Sequence, residues 1–281
     1  MLFWQMKLDM QKREARTAFG IMMALAVCSF FVSAREACSH GKDTSELLPA
    51  YAYAMLHMSI INPIGTVYLI LTPLAVSIPF SGGLSENNSL SYASILLGRC
   101  SKTRLILVKA FSAFFIGALM VLLPAVLNLI WCVIAFPLNS MRNPINAISS
   151  MPVIDFFLSR IYMKNLYVIH PYLYSFLGLF SASFFGGICA LVTLTFSLLW
   201  DKHRLIVGAM PFLIVLLISL IGQAFQGLTG GATEVAPVYA YFITADDARK
   251  LSLPMHITIW ALVLALACTG VLLRVHHKDE L

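Results

Sequence analysis

LILVKAFSAFFIGALMVLLPAVLNLIWCVIAF, from Leu105 to Phe136, is an unbroken apolar run whose single charged residue, Lys109, stands near its start. It exceeds the roughly 20 residues that a helix needs to cross a bilayer. The apolar residues are continuous rather than alternating, so the run reads as a helix and not as a barrel strand. Two further runs precede it, at about 17–33 and 60–80, and three follow, at about 172–200, 205–224 and 255–273. Hydrophobic residues make up 59% of the chain and charged ones 11%, with a mean hydropathy of +0.84. Such a chain has too little polar surface to cover a water-exposed globule. The expected fold is therefore an all-α polytopic membrane protein. Its six transmembrane helices fill one domain over 17–274, between an N-terminal segment, 1–16, and a short tail, 275–281.

Immediately before the long run lies the most polar and basic insert between two spans, SGGLSENNSLSYASILLGRCSKTRLILVK, from Ser81 to Lys109. Ser85, Asn88 and Ser89 are suited to accept bonds from free N–H groups at a helix start, and Glu86 suits the positive end of the helix dipole. Leu90, Ala93 and Leu97 then fall on one face, and Gly98 closes the run where a C-terminal glycine is favoured. Arg99, Lys102 and Arg104 form a basic exit. The pattern predicts a short helix on the inner membrane surface. The plainer alternative is an inter-span loop whose charges only set orientation.

Elsewhere, Met1 to Arg16 mixes Phe3, Trp4, Met6 and Leu8 with Lys7, Lys12, Arg13 and Arg16, as an amphipathic helix in the membrane interface would; a plain basic flank is the alternative. Val32-Ser33-Ala34 could pass as a signal-peptidase site. Cleavage there would leave five spans, so the segment is expected to stay in the mature chain. Prolines interrupt the second span at Pro63, Pro73 and Pro79, and Pro124 is expected to kink the third. Arg35–Ser59 and Pro137–Pro171 are expected as external loops, the latter with short surface helices. Gln223–Pro254 is expected to be partly re-entrant. In the fourth span, Ser181, Ser183, Gly186 and Gly187 predict a face where another helix approaches closely.

Orientation follows from the basic residues. With the N-terminus inside, Lys7, Lys12, Arg13, Arg16, Arg99, Lys102, Arg104, Lys109, Lys202, Arg204, Arg274 and Lys278 are cytoplasmic. Only Arg35, Lys42, Arg142, Arg160, Lys164, Arg249 and Lys250 lie in the longer outer loops. The bias places both termini in the cytoplasm of a multi-pass plasma-membrane protein. The net charge of +6 is spread over short loops, so no nucleic-acid partner is expected. The terminal Lys278-Asp279-Glu280-Leu281 matches a lumenal retention signal but falls on the cytoplasmic side.

Glu86, Leu90, Leu96, Leu97, Ser101, Lys102 and Lys109 resemble the first cytoplasmic loop of type-2 ATP-binding-cassette (ABC-2 type) exporter permeases. That family shows an acidic residue, a Gly-Thr-Leu-like helix start, a Leu-Leu pair, Pro-x-Ser-Arg and a downstream Lys. Here Asn88 and Ser89 replace Gly-Thr, Arg99 replaces Pro, and Lys102 replaces Arg. The resemblance implies a permease subunit that works with a homodimeric ATPase and with a second permease copy or a related permease. ATP and Mg would sit on the ATPase, with no cofactor on this chain. It also implies an interfacial helix before the first span, in contact with membrane lipids. Glu86, Leu90, Ala93, Leu97, Arg99 and Lys102 would couple to the ATPase.

Other classes find less support. No span carries Asp, Glu or Arg at its centre, where ion-coupled carriers place an ionisable group. Neither a Walker A motif nor a Ser–His or paired-Asp arrangement occurs in the spans. The cysteines fall in no C-x-x-C pair, so no metal site and no catalytic residue is expected, and the chain is read as a non-enzyme. The apolar spans suit an amphipathic cargo such as a peptide, a drug or a lipid-linked molecule. The alternative function is a non-transporting polytopic assembly factor, sensor or immunity protein.

Overall fold

Among the described residues of the computed structural model, every regular element is a helix. These residues are 2–39, 47, 49–56, 63–82, 102–138, 166, 169–199, 204–228 and 253–277. The helices are α1 (Leu2–Gln11), α2 (Arg13–Ser39), α3 (Ala50–Tyr53), α4 (Pro63–Ser77), α5 (Lys102–Ala135), α6 (Pro171–Leu199), α7 (Arg204–Leu228) and α8 (Leu253–His277). A 3₁₀ turn, Ile78–Phe80, ends α4. Three segments are long and apolar enough to cross a membrane: Arg13–Ser39, Arg104–Ala135 and Pro171–Leu198. Shorter apolar stretches run over Ile64–Phe80, Arg204–Ile218 and Trp260–Leu273. This is a helical membrane protein.

The helices outlast the apolar runs that announce them. The backbone ladder continues past the last apolar residue, so α2 carries Arg13 and Arg16 at one end and Arg35 and Glu36 at the other. Arg35–Ser39 is thus helical rather than loop. Pro73, Pro124 and Pro211 lie inside α4, α5 and α7. Each removes one ladder hydrogen bond, a loss that membrane helices tolerate when neighbouring chain covers the freed carbonyl.

Long-range contacts give the helix directions. On α5 and α2, Asn128 meets Ala26 and Ser29, while Ser112 meets Asp9 of α1, so α2 and α5 run parallel. Gly65 lies under Met55, whose N–H reaches Asn128, and Tyr68 donates to the Val121 carbonyl at 2.7 Å, so α4 runs antiparallel to α5. Tyr172 donates to the Leu138 carbonyl and Ser183 to that of Ala118 at 3.0 Å, so α6 does the same. Thr195 reaches the Ala267 carbonyl and Phe185 packs edge-on against Trp260 at 4.7 Å, so α8 runs with α6. Ser77 donates to the Gly208 carbonyl and ties the end of α4 to the start of α7.

Helix α6 is the hub. Within its most apolar window 78% of residues are buried, against 28% in α2 and 33% in α5. It touches α4, α5, α7 and α8. Its seam with α5 is built of small residues. A side chain at Gly117 would stand 2.6 Å from the Ala190 Cβ, and one at Gly186 would stand 2.9 Å from the Gly117 carbonyl oxygen. Gly187 similarly lies under the Phe114 ring and carbonyl. The close-approach face expected at Gly186-Gly187 is the α5 contact, and only glycine lets the two backbones come so near.

Candidate functional site

The expected coupling helix, Ser89–Leu97, and with it Glu86, Leu90, Ala93, Leu97 and Arg99, lies outside the described residues. What is described is its frame. The chain enters through the 3₁₀ turn and Ser81, whose N–H and hydroxyl both turn back to the Ile78 carbonyl. It leaves at Lys102, the first residue of α5. Arg104 is exposed two residues on, and Lys109 is buried.

At this same end α1 packs on α5 and α2. The Asp9 carboxylate, 1% exposed, is the centre of the contact. Its Oδ2 accepts from the Gln5 amide at 3.2 Å and the Ser112 hydroxyl at 3.0 Å. Its Oδ1 pairs with the Lys12 ammonium at 3.1 Å. Gln5 and Asp9 lie one turn apart on one face of α1, and Lys12 stands at the bend just after it, so the N-terminal segment supplies three of the four groups. A buried carboxylate is tolerated only when its lone pairs are used in this way. Lys109 lies one turn before Ser112 on the same side of α5.

The side of α1 turned to the bundle is its polar one. Helix α1 buries Gln5 and Asp9 and leaves Phe3 85% and Trp4 43% exposed on the outside of the bundle. A partner on another helix allows this: Ser112 of α5 supplies a donor for the carboxylate.

A second polar knot sits at the opposite end. Residues Ala50–Leu56, expected as external loop, are all buried. This segment is too short to satisfy its own backbone, and side chains of α2 and α5 serve it. The Met55 N–H donates to Asn128 Oδ1 at 2.8 Å, and the Tyr53 carbonyl accepts from Ser33 at 2.9 Å and from the Cys132 thiol at 3.6 Å. Ala50 N–H donates to the Pro137 carbonyl. The Asn128 amide also donates to the Ala26 carbonyl at 2.9 Å, so one side chain joins α2, α5 and the inserted segment. Gly65 of α4 lies directly beneath the Met55 carbonyl, with no room for a Cβ. Tyr53 stacks on Phe136 at 4.3 Å and Tyr51 packs edge-on against Tyr172 at 5.4 Å. Burial, with Tyr172 adding to it, pushes the Tyr51 phenol up to about 12, so it stays neutral near pH 7.

Both knots were missed in the sequence because each polar residue looks ordinary where it stands. Asp9 sits in a stretch dominated by Lys and Arg. The one available signal was Gln5-x₃-Asp9, two polar residues on a single helical face. Asn128 is a lone amide in the longest apolar run, and a polar group at that depth signals an interhelical bond. No family model, curated protein or solved structure matches the chain.

Proposed function

We propose that the chain is the membrane-spanning permease subunit of an ATP-driven exporter of the ABC-2 type, with both termini in the cytoplasm of a plasma-membrane bundle of six spans. The observation that supports the reading is the setting of the described chain on either side of the loop. It enters from the end of α4, and its basic exit is the first turn of α5, the helix most closely packed on the hub α6. A push on the loop would therefore pass into the bundle through α5 without an intervening hinge. Two such subunits would meet around a path for an amphipathic cargo, each seated on a separate ATPase subunit. Glu86, Leu90, Ala93, Leu97, Arg99 and Lys102 are coupling contacts in this scheme, and none is catalytic. Helix α1, with Phe3, Trp4 and Lys7 on its outer side, would meet the headgroups of the inner leaflet.

The test is charge reversal at the exit. Lys102→Glu places like or unpaired charge in a partly desolvated contact, which costs about 2–5 kcal/mol when a buried pair is broken. The variant is expected to reach the membrane at wild-type abundance and to lose both ATPase co-purification and cargo efflux. Wild-type association and efflux in Lys102→Glu would leave the loop as an orientation signal only. In that case a non-transporting polytopic protein becomes the better reading.

A further inference from the structure

We propose that Asp9 is a positioning residue that clamps α1 to α5, so that the N-terminal helix and the helix leaving the loop move as one body. The clamp itself rests on geometry alone; its service to ATPase coupling rests on the exporter reading above. Among the described residues of α1, the buried ones are both polar, Gln5 and Asp9. Asp9 is 1% exposed, Ser112 is fully buried and Lys109 is 4% exposed. A helix held only by lipid would turn this stripe to water. Here one carboxylate gathers an amide from its own helix, the ammonium of Lys12 at the bend that follows, and a hydroxyl from α5, 103 positions away in sequence. Lys102 begins the same helix that carries Ser112, and the loop exit and the clamp are ten positions apart. That is under three turns of unbroken helix, too short and too well hydrogen-bonded to bend independently. Displacement of the loop exit would then displace α1 through Asp9, and the surface offered at this end of the bundle would be α1 and the loop together.

The experiment uses full-length, detergent-solubilised protein without native thiols, carrying a single Met6→Cys probe on α1, where the native side chain is half-buried against the core. The parent is expected to resist a maleimide. Adding Asp9→Ala is expected to speed labelling about tenfold or more, as local opening becomes easier. Exchanging the two groups, Asp9→Ser with Ser112→Asp, returns a carboxylate–hydroxyl pair to the seam and is expected to restore protection. Equal labelling with and without Asp9, or a monodisperse exchange variant that still labels fast, overturns the clamp. If Asp9→Ala does not fold, the exchange variant decides alone. ATPase co-purification is read on the same samples. Its loss in Asp9→Ala and return in the exchange variant support the coupling role. Released α1 with undiminished association keeps the clamp and overturns its part in coupling.

Discussion

Asn128 shows how much one side chain does in a helical membrane protein. Its amide is fully buried, and it accepts from the Met55 N–H while donating to the Ala26 carbonyl. Asn128→Leu keeps the volume and removes both bonds, leaving the Met55 N–H buried without its acceptor. Such an orphaned donor costs about 1–3 kcal/mol. Cys132, one turn further along α5 and bonded to Tyr53, provides the readout. In protein whose sole thiol is Cys132, Asn128→Leu is expected to speed thiol modification by about tenfold for each 1.4 kcal/mol lost. An unchanged rate would mean that Ala50–Leu56 is held by packing and by Ser33 rather than by the amide.

At the scale of elements, the α5–α6 seam separates glycines that are needed from glycines that are incidental. Gly186→Ala would set a Cβ 2.5 Å from the Val121 Cγ2 and 2.9 Å from the Gly117 carbonyl oxygen. The two helices must part, at a cost of about 1–3 kcal/mol. Gly20 of α2 has nothing within 4 Å of its would-be Cβ. Gly20→Ala is therefore expected to be neutral or to gain up to about 1 kcal/mol of helix propensity. Thermal denaturation of the two variants in the same detergent compares them directly. A Gly186→Ala protein as stable as wild type would show that the seam relaxes freely, against the close approach described for it.

For the whole molecule, the directions of the helices make a topological prediction once the basic residues orient the bundle. The ends of α2, α5 and α7 that carry Arg13, Lys102 and Arg204 are expected to face the cytoplasm. Single cysteines at Ser89 and Lys202, in a thiol-free background, are expected to be shielded from an impermeant reagent in intact cells. Cysteines at Asp43 and Asp247 are expected to label. Labelling at position 89 from outside would invert the bundle and remove the loop from reach of any cytoplasmic ATPase.

By itself the sequence determined the class: continuous apolar runs, in a chain with little charge, must satisfy their backbone within helices, because lipid offers no hydrogen bonds. It also showed where a close approach would occur, since Gly186 and Gly187 mark it by their lack of side chains. Only the tertiary structure decided which helix is central, which way α1 faces, and that Ala50–Leu56 is buried in the bundle. The physical reason is twofold. Lipid is as apolar as a protein core, so hydropathy does not tell a buried face of α6 from a lipid-facing face of α7. The polar bonds that choose among arrangements also join distant residues, Asp9 to Ser112 and Asn128 to Ala26 and Met55, and no local periodicity carries that pairing.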